Sequence, residues 1–170
     1  MIKAAQASIR ATQASDAQSI ADIYNFYIET SVVTFEEDAT TKDDIALRID
    51  ETYAEKLPYL VLQIDDEIVG YANASKWKGR CAYRYTVEVS VYLSPDAGGK
   101  GYGSRLYDEL FSQLAERGFH IAIAGISLPN KASIALHEKF GMEKVAHFKE
   151  VGFKFGNWVD VGYWQCAIKK

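Results

Sequence analysis

Apolar residues recur at helical spacing in some stretches of the chain and at every second position in others, and the changes of period divide it into elements. Ile9 marks a short strand. Ser15 and Gln18 then carry a capping-box signature, in which two polar side chains satisfy the unpaired N–H groups of a helix start. Ile20, Ile23, Tyr24 and Tyr27 follow on one helical face and predict a helix to about Thr30. Thr41 and Asp44 repeat the capping signal, and Ile45 and Ile49 supply the apolar stripe of a second helix that ends before Pro58.

Beyond Pro58 the period changes. Tyr59 to Ile64 and Ile68 to Ala74 are β-rich runs separated by Asp65, Asp66 and Glu67, the form of an antiparallel hairpin. Thr86 to Leu93 alternates Val87, Val89 and Val91 against Glu88, Ser90 and Tyr92, a clear strand. Ser94 to Gly99 reads as a loop, after which Leu106, Leu110, Phe111 and Leu114 mark a helix running from Gly101 and closing at Gly118. Ile121 to Ile126 is a buried-strand candidate. Asn130 caps a helix carrying Ile134 and Phe140 and ended by Gly141, and Val145 to Val151 and Val159 to Ala167 read as two terminal strands. With no internal repeat or linker, this order predicts a single domain over residues 1–170, α/β (α+β) in class with a mixed sheet.

Composition narrows the function classes. Hydrophobic residues at 48% and charged residues at 25% are ordinary for a globular chain. The formal charge of -4 and pI near 5.4 oppose binding by neutralisation of phosphate backbone, so nucleic acid is not an expected partner. Two cysteines, Cys81 and Cys166, lie far apart without CxxC spacing, which suggests neither disulfides nor a zinc knot and fits a reducing cytoplasm. Met1 to Arg10 lacks the apolar stretch of an export signal, and no run of about 18 apolar residues exists, so neither export nor a membrane span is expected.

Three constellations carry possible chemistry. Gly98, Gly99, Lys100, Gly101, Tyr102 and Gly103 lie between a strand and a helix, where backbone N–H groups and the helix dipole can cradle a phosphate. The spacing is neither Walker A nor GxGxxG, and a flexible glycine-rich turn fits it equally. Glu88 interrupts a valine-rich strand. On a cleft face its desolvated carboxylate suits a general base, whereas on a solvated sheet face it is an ordinary polar position. His137 stands two helical turns after Asn130 and has the titration range for proton transfer, although a lone helical histidine is commonly surface or satisfied core. It shares no metal-ligand spacing with His120 or His147, so no metal is expected. Trp77, Lys78, Arg80, Tyr83, Arg84 and Tyr85 form an aromatic and basic cluster that is either a solvated loop or an anion grip.

Together, the strand Thr86 to Leu93, the loop Gly98 to Gly103, and Asn130-x-x-Ser133-x-x-x-His137-x-x-x-Gly141 resemble the GNAT superfamily of N-acetyltransferases. The segments Arg80 to Tyr92, Leu128-Pro-Asn130 and Val151 to Trp158 resemble its phosphinothricin and methionine-sulfone acetyltransferase branch, and the resemblance runs from Ile9 to Trp164. It implies a GNAT fold, a mixed central sheet with splayed middle strands flanked by about four helices. It implies acetyl-CoA as co-substrate, with Val91, Tyr92 and Leu93 against the pantetheine arm through backbone hydrogen bonds. Gly99, Lys100, Gly101, Tyr102, Gly103 and Ser104 would hold the pyrophosphate, Asn130 the pantetheine, and Lys139 would lie near the cofactor. Glu88 resembles the family's general base, and His137 stands where much of the superfamily has tyrosine, either as acid to the leaving thiolate or as a positioning group.

The same resemblance implies a small, anionic, amino-acid-like substrate bound by Phe35, Lys78, Arg80, Cys81, Ala82 and Tyr83. It also implies a homodimer, with Phe35 and the Phe153 to Val161 segment near a shared entrance. Gly98 departs from the superfamily pattern, which usually has Gln or Arg there, but every backbone donor remains. Two other readings compete. An acetyltransferase of protein N-termini or polyamines would favour an acidic groove where Lys78, Arg80 and Arg84 make this loop basic, and a non-catalytic acyl-CoA-binding sensor would not need Glu88.

Overall fold

In a computed structural model of the chain, which describes residues 7–169, a seven-stranded mixed sheet carries four α-helices. The first part of the Met1 to Arg10 stretch scanned for an export signal lies outside those residues. In chain order the elements are β1 (Ala7–Ala11), α1 (Ala17–Thr30), α2 (Lys42–Ala54), β2 (Tyr59–Ile64), β3 (Glu67–Lys76), β4 (Thr86–Leu93), α3 (Tyr102–Glu116), β5 (Ile121–Ser127), α4 (Lys131–Lys139), β6 (Glu143–Lys154) and β7 (Asn157–Ala167). The sheet order is β1-β2-β3-β4-β5-β7-β6. The chain divides into two compact units that share β4: residues 7–24, Thr40–Ala74 and Ser90–Gln113 form one, and Asn25–Ala39, Ser75–Val89 and 114–169 the other.

The first unit is built on an antiparallel meander. β1 pairs with β2 through Ile9 opposite Leu62, and β2 pairs with β3 through Leu60 opposite Ala72. Leu60, Val61 and Leu62 are all within 1% of complete burial, so this strand is covered on both faces and reads as a continuous apolar run rather than an alternation. Ile20, Ile45, Ile49, Leu106 and Leu110, from three helices, complete the core. The helix α2 starts as its sequence predicts: Thr41 Oγ1 accepts from the Asp44 N–H at 3.1 Å and the Asp44 carboxylate accepts from the Thr41 N–H at 2.8 Å.

The entry to α1 differs from the expected box at Ser15 and Gln18. A 3-10 turn, Ala14–Asp16, comes first, and the Asp16 carboxylate accepts from the Gln13 N–H at 2.8 Å. Arg10 decides the register by gripping Asp16 with two hydrogen bonds, 2.7 and 2.9 Å, which hold the Asp16 carboxyl below its usual range. Gln18 instead bonds Asp22, one turn along the helix.

The second unit pairs β5 with β7 from Ile121 opposite Ala167 to Ser127 opposite Val161, and β7 with β6 through the hairpin at Lys154 and Asn157. Both hairpin strands extend past their expected limits. Val87, Leu114, Ala122, Ala124, Met142 and Trp164 fill the core. The helix α4 begins at Asn130, whose Oδ1 accepts from the Ser133 N–H at 3.1 Å, and ends before Gly141 at φ +76°.

Candidate active site

Val87 and Val89 are 0% and 3% exposed, and alternation along β4 turns Glu88 to the opposite face. The parallel ladder to β5 registers Thr86, Val87 and Glu88 opposite Ile121, Ala122 and Ile123, so Glu88 stands where it ends. Two residues further along β5 is Gly125. A Cβ there would lie 3.4 Å from Glu88 Oε1 and 3.2 Å from Tyr163 Cε1, so the missing side chain leaves the carboxylate uncovered. Desolvation pushes the Glu88 carboxyl above its usual range, and the Lys78 charge and Gly125 N–H pull it partly back. The result is a stronger proton acceptor than a solvated glutamate.

Around it, beside Trp77, stand two groups that sequence reasoning missed, Tyr163 and Phe148. Tyr163 meets Trp77 edge-on at 5.4 Å between ring centres and Phe148 at 5.7 Å, giving an aromatic wall in the second unit. Burial and the Glu88 charge raise the Tyr163 phenol, which keeps its proton at neutral pH. The available signal was Gly125 itself, a glycine inside the apolar run Ile121 to Ile126.

The basic cluster divides by role. Lys78 acts on Glu88 and lies 4.9 Å over the Trp77 ring. Arg84 is committed to its own loop, with its guanidinium 4.7 Å over Tyr85 and donating to the Cys81 carbonyl at 3.1 Å. Arg80, Cys81, Ala82 and Tyr83 are exposed around a short 3-10 turn. Phe35, also exposed, lies against Gly152 of β6.

His137 is 4% exposed. Its Nδ1 lies 2.7 Å from the Ser133 carbonyl, an acceptor only, so Nδ1 carries the proton and Nε2 is left as an acceptor. Desolvation lowers its pKa and so favours the neutral ring, and the bond to that carbonyl partly opposes the shift. Asn130 spends its carbonyl oxygen on the α4 cap and keeps its NH2 as donor, and Lys139 is exposed in the last turn of that helix.

In the first unit, Val91 is half-buried, whereas Val87 and Val89 of the same alternation are buried. Tyr92 stacks on Tyr71 at 5.5 Å and meets Tyr24 edge-on at 5.2 Å, and Leu93 packs where Gly70 leaves room. The side chains of Tyr92 and Leu93 are thus engaged in packing. The following loop holds Gly99 at φ +73° and Gly101 at φ +78°, each with nothing within 4 Å of where a Cβ would stand. The Arg105 N–H donates to the Gly101 carbonyl and opens α3. Lys100 is exposed, Tyr102 and Ser104 are half-buried, and Gly103 is buried inside the first turn. An open, left-handed glycine loop running into a 15-residue helix fits a pyrophosphate.

Among the described residues no group of three or more His, Cys, Asp or Glu could hold a metal ion, and no helix is long and apolar enough to cross a membrane. Residues 9–162 match the acetyltransferase (GNAT) domain family, and the chain belongs to that family. It is an N-acetyltransferase. A phosphinothricin N-acetyltransferase of Streptomyces coelicolor is 37% identical, with 96% of this chain and 98% of the relative covered. An L-methionine sulfoximine/L-methionine sulfone acetyltransferase of Salmonella typhimurium is 32% identical, with 95% and 94% covered. The crystal structure of a phosphinothricin acetyltransferase from Sinorhizobium meliloti in complex with acetyl-CoA superposes with a TM-score of 0.92 at 38% identity, covering 95% of this chain and 88% of that one.

Proposed function

We propose that the chain transfers the acetyl group of acetyl-CoA directly, in a ternary complex, to the α-amino group of a small amino-acid-like substrate of the phosphinothricin and methionine sulfoximine or sulfone type. The observation that carries this reading is Glu88, a desolvated carboxylate left open by Gly125 with Lys78 acting on it. An amine must lose its proton before it attacks, and a raised carboxylate in the site takes that proton directly or through one water. Acetyl-CoA supplies the acetyl group as an activated thioester.

The open loop Gly99 to Ser104 holds the pyrophosphate by backbone N–H groups, and the NH2 of Asn130 serves the pantetheine arm. Lys78, with Arg80 and Tyr83, binds the carboxylate or side-chain oxyanion of the substrate and so orients its amine. His137 is neutral, with its proton on Nδ1. That state suits positioning better than proton donation. The names of the curated relatives support the substrate class.

Thiol release from acetyl-CoA, measured over a panel of amines, tests the proposal. Free methionine sulfone, methionine sulfoximine and phosphinothricin should exceed their amidated forms, spermidine and short peptides by about tenfold or more in kcat/KM, the worth of a charged hydrogen bond to the carboxylate. A peptide or polyamine as best substrate sinks the reading. If none of the amines elicits thiol release while acetyl-CoA still binds, an acyl-CoA-binding sensor is what remains.

A further inference from the structure

Residues 31–41, between α1 and α2, contain neither helix nor strand, so tertiary contacts must fix their path. Two such contacts run to β6. Lys154, 2% exposed, donates from Nζ to the Thr34 carbonyl at 2.9 Å, and its ammonium lies 5.0 Å from the centre of the Phe155 ring. One residue further along the loop, the Phe35 ring occupies the space over Gly152, and a Cβ on that glycine would fall onto the ring. Gly152 and Lys154 are alternate residues of one strand and share its buried face, while Phe153 between them is exposed. Adjacent loop residues are thus pinned by alternate strand residues.

We propose that Lys154 is a positioning residue for the amino-acid substrate: through Thr34 its buried ammonium holds Phe35 against Gly152 and so fixes one wall of the substrate site. The proposal rests on the reading of Phe35 as a substrate contact. An apolar side chain of similar length would fill the same volume without desolvating a cation, so a lysine here makes sense only where its donor is needed. Desolvation lowers the Lys154 pKa, and the carboxylates of Glu37 and Glu36 raise it part of the way back.

Steady-state kinetics on Lys154→Met, Lys154→Arg, Gly152→Ala and Phe35→Ala, with methionine sulfone as acceptor, test this. Lys154→Met, Gly152→Ala and Phe35→Ala should each raise KM for the amino acid about tenfold or more, with KM for acetyl-CoA and the melting temperature little changed. Lys154→Arg, which restores a charged donor, should recover most of the loss. Faster amide hydrogen exchange in residues 31–39 of Lys154→Met should accompany the KM effect. A normal amino-acid KM in Lys154→Met alongside an impaired Phe35→Ala overturns the pinning role. A normal Phe35→Ala instead removes Phe35 from the substrate site. If Lys154→Met does not fold, Gly152→Ala displaces the same ring from the other side, and an unchanged KM there overturns the proposal equally.

Discussion

At the scale of single residues, Glu88 shows what the sequence could and could not say. A carboxylate between Val87 and Val89 was visible as an anomaly, but periodicity cannot distinguish a solvated face from an uncovered site. The deciding partner, Gly125, is 37 positions away on another strand. His137 was legible as a candidate by its spacing from Asn130. Its tautomer was not, because that depends on the Ser133 carbonyl turning toward Nδ1. The glycine loop makes its own residue-scale prediction. Gly101 holds φ +78°, where an alanine is strained by about 1–2 kcal/mol, and the space over it is open for a ligand. Gly101→Ala should therefore weaken coenzyme A binding in calorimetry while amino-acid KM changes little. Equal coenzyme A affinity in a folded variant would contradict the cradle.

At the scale of elements, patterns that depend on nearest neighbours were read well. The Thr86–Leu93 strand, the Thr41 cap and the Gly118 and Gly141 helix ends all appear where local chemistry requires them. Elements fixed by distant partners were read less fully. The cap expected at Ser15 gives way to Asp16 because Arg10, on β1, captures that carboxylate. β6 and β7 run to Lys154 and from Asn157 because backbone pairing continues across the hairpin to Lys154 opposite Asn157, and the buried positions of β6 there, Gly152 and Lys154, are not apolar side chains that an alternation would reveal. Val91 leaves the buried row because β4 continues past Glu88, the last residue registered with β5.

At the scale of the whole molecule, β6 is a sheet edge, and Phe148, Val151, Phe153, Phe155 and Trp158 on its hairpin with β7 are 49% to 63% exposed. An open edge with that much apolar surface calls for a cover, and we infer a second copy of the chain. Sedimentation velocity should find a dimer that Trp158→Asp weakens, and a monomeric parent at micromolar concentration would contradict this. The central claim, that a desolvated Glu88 deprotonates the amine, is tested most directly by the pH dependence of turnover in Glu88→Gln. The amide keeps the shape but cannot take the proton. The folded protein disfavours the Glu88 charge, so the stability cost of ionisation is in force above its raised pKa and absent below the ordinary glutamate value of about 4.3. The variant should accordingly melt no lower than the parent at pH 7 and bind acetyl-CoA as the parent does. Its kcat should fall about 100- to 10,000-fold, and it should lose the acidic limb that the parent shows above the ordinary glutamate range. Parent-like turnover and an unchanged pH profile would contradict the account.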